Sequence, residues 1–303
     1  KLVWTRENDV QNGWFRQASV MQINAGIDER GLVTAWDAAR AGGDLAPHTM
    51  ASILPGALPS VPKGINDLLV DATESIFDGW VIDGGGVEGL VDDYDFPNKQ
   101  LRHASVNHGL PLAAWRSVGH SFTAFAKETV MDELAEQAGL DAFEFRRRNL
   151  QGNPRLLGAL QAVQKGLENW DIPEGHHIGV SAHGSFPSYV AQAAEVSVEN
   201  NQIRVHRVLC AIDCGQVVNP DIVRGQMEGS IMYGLTAALY GDIEIENGAV
   251  KERNFHDYKM LRISEAPKVE VLIVESEEAP SGVGEPGLPP VAPAVANAVY
   301  RAT

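Results

Sequence analysis

Ser281-Gly282-Val283-Gly284-Glu285-Pro286-Gly287-Leu288-Pro289-Pro290 sets one carboxylate among glycines and prolines, directly ahead of a small-residue run, Val291 to Ala302, that reads as a helix. Glycine lets backbone approach a ligand, and a helix N-terminus offers free N–H groups at the positive end of its dipole. In that setting Glu285 is a candidate general base on rigid backbone. A solvated turn that happens to contain a glutamate is the other reading. Arg116 lies in a loop before a predicted helix, flanked by Trp115 and Gly119. Its planar fork could grip a phosphate or ring carbonyl, or make a structural salt bridge. Gln226 belongs to a predicted helix with Gly225, Gly229 and Gly234, which together cost about 3 kcal/mol against alanine. That cost calls for something packed close, either backbone or a cofactor within reach of Gln226. Ser188 and Gln192 fall in a polar stretch, Gly184 to Gln192, read as a loop that presents hydroxyls and amides or simply connects two core strands.

His256, in the cluster Asn254-Phe255-His256-Asp257-Tyr258, could serve as a base or as a structural side chain. Cys210 and Cys214 stand in an apolar segment and suit buried, inert thiols better than a disulfide framework or a zinc site. No Ser-His-Asp order, HExxH, CxxC pair or Walker loop occurs, and no side-chain metal ligands are assigned.

The positioning elements follow from pattern. The chain has 303 residues, 44% hydrophobic and 21% charged, enough for a two-domain globular α+β protein. A formal charge of −16 excludes a nucleic-acid groove and an anionic membrane surface, and no apolar run reaches the length of a membrane span. Without an initiator Met or leader, the chain is expected to start inside a longer product. Lys1 to Thr5 reads as a short strand, and Ser19 to Ile27 with Leu32 to Trp36 as a hairpin. Gly42 to Gly64 is Pro/Gly-rich without strong periodicity. Asp78 to Asp95, with six carboxylates around Gly84-Gly85-Gly86, reads as a solvated acidic loop rather than a phosphate cradle. A helix is predicted from an N-cap at Ser121 to Gly139, with Phe122, Phe125, Val130 and Leu134 on its apolar stripe. A second follows, where Asp141 and Glu144 have capping-box spacing and Arg146-Arg147-Arg148 forms a solvated end. The domain boundary is placed in Gly152 to Gly175, ahead of strands at Ile178–Ser181, Ala193–Val198 and Ile203–Ile212. Asn219-Pro220 opens the glycine-bearing helix, Asn247-Gly248 turns a hairpin, and Val269 to Val274 delivers the chain to Glu285.

Three segments, Trp115 to Ser121, Asp213 to Gly229, and Gly282 to Gly287, together resemble the molybdenum-binding subunit of the xanthine dehydrogenase/aldehyde oxidoreductase family. The likeness is greatest to the branch of the isoquinoline 1-oxidoreductase beta subunit and the membrane-bound aldehyde dehydrogenases. The resemblance implies two mixed α/β cofactor-binding subdomains, at residues 1–165 and 176–303. It implies a molybdopterin cofactor, in bacterial relatives the cytosine dinucleotide, whose metal activates an oxygen nucleophile toward an aldehyde or an electron-poor carbon of an N-heterocycle. Glu285 matches the family's base, and Arg116, Gly119, Gln226, Gly225, Gly284, Ser188 and Gln192 match cofactor-side positions. Relatives pair with a small [2Fe–2S] subunit, some also with a cytochrome c subunit. The family's Gly-Gly-Gly-Phe-Gly pterin loop is absent here, which motivates an alternative: a non-catalytic, partner-binding module without cofactor. A carboxylate hydrolase using Glu285 with Glu228 or Asp257 is a further alternative. The compartment stays open.

Overall fold

The computed structural model describes residues 1–57, 59–77, 82–106 and 109–303. Lys1 to Thr5 is not a strand. It leads into α1 (Arg6–Gln11), whose Asn8 N–H is capped by the Thr5 hydroxyl. The expected hairpin forms as β1 (Ser19–Ile27) and β2 (Val33–Gly42), antiparallel, with Asp28 accepting the Arg30 and Leu32 N–H groups in the turn. Where irregular chain was expected, α2 (Leu45–Ala57) forms, followed by α3 (Lys63–Phe77). Pro47 falls in the first turn of α2, where a missing N–H costs nothing.

The acidic segment is solvated only in part, with Asp92 and Asp95 exposed. Residues 78–81 lie outside the described ones, but Asp83 is buried as the cap of α4 (Gly84–Val87), and the Asp93 carboxylate is 6% exposed against Lys127. β3 (Lys99–Ser105) then joins β2 in parallel to complete a three-stranded sheet.

Next come α5 (His120–Gln137), α6 (Ala142–Arg148) and α7 (Pro154–Leu167). α5 starts from Gly119 rather than Ser121, whose hydroxyl lies within the first turn and accepts from Arg16 at 2.8 Å. Its apolar stripe is also broken, because Phe125 points outward while Lys127, Glu128 and Asp132 are buried. The Asp141 cap of α6 is as expected, accepting the Phe143 and Glu144 N–H groups. The arginine run is not uniformly solvated. Arg147 and Arg148 pair with Glu144, but Arg146 is wholly buried, with Nε 2.9 Å from Glu128 and Nη1 2.9 Å from Asp132. Burial opposes its charge, yet Glu128, Tyr94 and Asp132 outweigh that and hold its pKa above the ordinary value.

β4 (His176–Ser185), β5 (Ser188–Glu199) and β6 (Gln202–Asp213) form an antiparallel meander. The stretch expected as a loop from Gly184 to Gln192 is therefore a tight hairpin between β4 and β5. α8 (Pro220–Leu239) follows its Asn219 cap, β7 (Ile245–Glu246) and β8 (Ala249–Val250) flank the Asn247-Gly248 turn, and β9 (Lys268–Ile273) adds to β6 in parallel. α9 (Val291–Ala302) closes the chain. β5 and β6 are buried on both faces, which explains their continuous apolar runs. Ala191, Ala193, Leu209 and Ala211 share a cluster with α7, whereas Val190, Ala194, Val208 and Ile212 share one with α8 and α9. α9 lies directly on β4, since a Cβ at Gly179 would come within 2.0 Å of the Ala294 carbonyl oxygen. Among the described residues no helix is long and apolar enough to cross a membrane.

Replacing Arg146 by Met strands the Glu128 carboxylate in the core. The expected cost is about 3–5 kcal/mol, read as a lower urea midpoint at unchanged denaturant slope. A loss below about 1 kcal/mol would contradict the role given to this guanidinium.

Candidate active site

The loop after β9 is fixed along its length. Val274 donates to the Ile212 carbonyl at 2.8 Å and Ser281 to the Cys214 carbonyl at 2.9 Å. Ser188 Oγ lies 2.7 Å from Ser281 Oγ and donates to the Gly282 carbonyl at 2.8 Å. Gln192 Nε2 donates to the Gly287 carbonyl at 2.7 Å. Both side chains are fully buried, so they brace the loop from beneath. At Gly287 a Cβ would meet Met227 Sδ at 2.8 Å and Ser230 Cβ at 3.0 Å, so glycine lets the loop settle on α8 without displacing them.

Glu285 is then held from across the molecule. Its Oε1 accepts the Ser117 N–H at 2.7 Å. Arg116 donates to the Gly284 carbonyl through Nε at 2.7 Å and through Nη2, so it grips loop backbone and not a salt-bridge partner. Gln226 of α8 stands beside the same point, its Nε2 3.6 Å from where a Gly284 Cβ would begin. Trp115 stacks on Tyr233 of α8 with ring centroids 4.9 Å apart, and Arg16 lies over Trp115 at 4.7 Å. Ser117 and Val118 both have positive φ, 75° and 52°, a strained arrangement for non-glycine residues that aims the Ser117 N–H at the carboxylate. Ser117 Oγ is buried without a partner.

The structure thus brings Glu285, Gly284, Arg116 and Gln226 together. Gly225 and Gly229 lie on an open stretch of α8, with no atom within 4 Å of where a Cβ would stand, while Gly234 packs on Val291 at 3.1 Å. Only one of the three helix glycines therefore serves close protein packing. Gly119 makes room for protein, since a Cβ there would sit 2.3 Å from the Gly85 carbonyl oxygen. His256 is 76% exposed, and Asp257 spends both oxygens on backbone N–H groups of Arg253 and Asn254. Of the two acids considered as partners for Glu285, Asp257 is thus occupied by backbone and Glu228 lies exposed on α8. Both cysteines are free and buried, and burial pushes the Cys210 thiol up to about 12. Among the described residues no cluster of three His, Cys, Asp or Glu is arranged to hold a metal ion.

Glu88 escaped the sequence reading because it stands in the acidic segment. It is half-buried, its side chain 35% exposed, beside His120 at the start of α5. Burial, with the charges of Asp83 and Glu285, raises its pKa. Behind it, His120 Nε2 is 3.7 Å from Glu88 Oε1, and His120 Nδ1 is 2.8 Å from His183 Nε2. His183 Nδ1 is 3.1 Å from Lys127 Nζ and 3.3 Å from Asp93 Oδ2. Burial and the Lys127 charge lower His120 to about 4 and His183 well below its usual value, while burial raises Asp93.

Residues 111–267 match the family described as the molybdopterin cofactor-binding domain. The isoquinoline 1-oxidoreductase subunit beta of Brevundimonas diminuta is 30% identical over 314 residues, covering 100% of this chain and 37% of its own length. The membrane-bound aldehyde dehydrogenase (pyrroloquinoline-quinone) of Gluconacetobacter polyoxogenes is 28% identical, covering 100% and 40%. The chain thus spans about two fifths of these relatives. The crystal structure of quinoline 2-oxidoreductase from Pseudomonas putida 86 superposes with a TM-score of 0.79 at 13% identity, covering 99% of this chain and 61% of that one.

Two outcomes follow from the geometry. Arg116→Lys loses the two-pronged grip on Gly284, so amide exchange should quicken at residues 282–287 while global stability shifts by no more than about 1–2 kcal/mol. Unchanged exchange there would contradict the clamp. The second concerns pH. With folded histidines lowered from about 6.5, the unfolded chain binds more protons as pH falls from about 6.5 toward 4. Stability is therefore full above that window and declines through it by up to about 1.4 kcal/mol per unit for each ring. Glu88 and Asp93, raised in the fold, offset part of the loss at its acid end. A flat urea midpoint from pH 7 to 5 would contradict the burial of these rings.

Proposed function

Because the chain belongs to the molybdopterin cofactor-binding domain family, with an α+β fold like that of the molybdenum hydroxylases, we propose that it is part of such an enzyme's catalytic subunit. The reaction would oxidise an aldehyde or hydroxylate an N-heteroaromatic with water-derived oxygen, and Glu285 would be the base. The observation that carries this reading is the joint at Glu285: a carboxylate on the Ser117 N–H, in a loop whose carbonyl Arg116 grips, beside Gln226.

The residues present fit a large, flat, polar cofactor. Gly225 and Gly229 leave α8 bare beside Gln226, and the buried Ser117 hydroxyl has a hydrogen bond still to make. Gln226, Arg116 and backbone at Gly225 and Gly284 would hold it, with Ser188 and Gln192 fixing the loop from below. When bound, a molybdopterin, here proposed in its cytosine dinucleotide form, supplies the metal that activates the oxygen nucleophile and takes up the electrons. The chain's own part is to orient Glu285, exclude water from the loop face, and accept the nucleophile's proton on the carboxylate oxygen. A small [2Fe–2S] subunit, and a cytochrome c subunit beyond it, would carry the electrons onward, as the resemblance implies. The division into subdomains at 1–165 and 176–303 belongs to the same proposal.

Glu285→Gln keeps the shape and the Ser117 hydrogen bond but removes the base. Turnover in the complete, cofactor-loaded enzyme should fall about 10²–10⁴-fold, with molybdenum content and melting temperature unchanged. Retained turnover in the loaded variant would refute the assignment.

A further inference from the structure

β5 starts at Ser188, under the Glu285 loop, and its 12 residues carry its far end roughly 35 Å away. At that end a cleft of about 870 Å³ opens between the β5–β6 turn, the end of α8 and residues 255–265. Its size is that of a small-molecule site. The floor is apolar. Leu239 and Leu261 pack onto the core beneath it, and Ile203, Phe255 and Met260 line it while 40%, 49% and 43% exposed.

Charge sets this cleft apart from the rest of the surface. The chain carries 40 acidic residues against 24 Lys and Arg, so a cation seldom lacks an acid nearby. Among the described residues only three arginines, Arg204, Arg253 and Arg262, make no side-chain hydrogen bond or ion pair. Two of them, Arg204 and Arg262, line this cleft together with Lys259. The acids present do not cancel them. Glu265 already accepts the Tyr240 hydroxyl at 2.6 Å on one oxygen and the Arg262 N–H at 2.9 Å on the other. Those hydrogen bonds hold its pKa low, and the charges of Arg262 and Arg204 add to that, which places both guanidiniums near the one carboxylate. Glu199, exposed at the turn, forms no ion pair with either. Lys259 also borders a neighbouring cleft with Asp242 and Glu244, so recognition falls to the two arginines.

We propose that this cleft binds a small organic acid with an apolar body, the carboxylate held by Arg204 and Arg262 and the body laid on Ile203, Phe255 and Met260. A guanidinium meets a carboxylate fork to fork, with charge on both sides of each hydrogen bond. The floor adds the burial of apolar surface that a bare anion lacks. Acetate satisfies the arginines alone and a neutral hydrocarbon the floor alone, so the pair selects a molecule that carries both. At about 870 Å³ the cleft takes a compact ligand, not the roughly 20–30 residues that a protein partner presents. The proposal does not rest on Glu285 acting as a base.

Cinnamate is a suitable probe. Calorimetry should show it binding one to one, and amide spectra of the ¹⁵N-labelled chain should shift at residues 199–205 and 255–265. Cinnamyl alcohol, which keeps the ring without the charge, and acetate, which keeps the charge without the ring, should each bind at least about tenfold more weakly. Arg204→Gln combined with Arg262→Gln should weaken cinnamate at least about tenfold. Arg253→Gln removes an unpaired arginine outside the cleft and should leave binding unchanged. All three positions are exposed, so the variants should keep the circular dichroism of the parent. No saturable binding, acetate or cinnamyl alcohol binding as well as cinnamate, or an unaffected double variant would each overturn the site. Shifts confined to residues 282–287 would overturn it by sending the acid to the Glu285 loop. Tighter binding of the peptide acetyl-Glu-Phe-Leu-Glu-amide at the same residues would overturn the small-molecule assignment in favour of a protein segment.

Discussion

One buried guanidinium holds the helix from which the rest of the site hangs. Arg146 binds Glu128 and Asp132, and Glu128 also accepts the Ala182 N–H and the Tyr94 hydroxyl. Asn297 of α9 donates to the Glu128 and Val180 carbonyls, so α5, α6, α9 and β4 meet around a single helical turn. A buried ion pair of this kind adds little stability over a well-packed apolar replacement, because desolvation consumes the Coulombic gain. Its use is geometric. It permits one rotation and one height for α5, and so fixes the direction of the N–H groups at its start.

That direction is what the Glu285 loop meets. Two chain segments contribute nothing but backbone and one charged side chain each: Ser117 offers an N–H, Gly284 a carbonyl, Arg116 a fork and Glu285 an acid. The strained φ values at Ser117 and Val118 persist because both sides of the joint are over-determined, by α5 on one side and by Ser188, Gln192 and Met227 on the other.

Much of this was legible in the residues. A glutamate between glycines and prolines ahead of a helix announces a positioned acid, and the three motif segments led to the α+β cofactor-binding fold that the family match bears out. Less legible was what each polar residue touches. Arg116 stood where a ligand could be gripped, yet its partner is a carbonyl 168 residues away, which no local pattern encodes. Glu88 looked like one more solvated charge in an acidic stretch, and its burial depends on His120 from another element. α5 hid its orientation because its buried face carries Lys127, Glu128 and Asp132 while Phe125 faces outward, so hydrophobic periodicity pointed only partly inward. Lys1 to Thr5 pairs with no strand among the described residues, and pairing is a tertiary fact that local pattern does not carry.

The separation of 168 residues between the two sides of the clamp has an energetic consequence. Bringing the ends of so long a loop together costs on the order of 4–5 kcal/mol of chain entropy. The clamp's few hydrogen bonds return roughly 1–3 kcal/mol each, barely enough to offset that closure and the ordering of the loop itself. The joint therefore cannot nucleate its own formation. It depends instead on the packing of β9 against β6 and of α9 against β4, the two elements that flank the Glu285 loop.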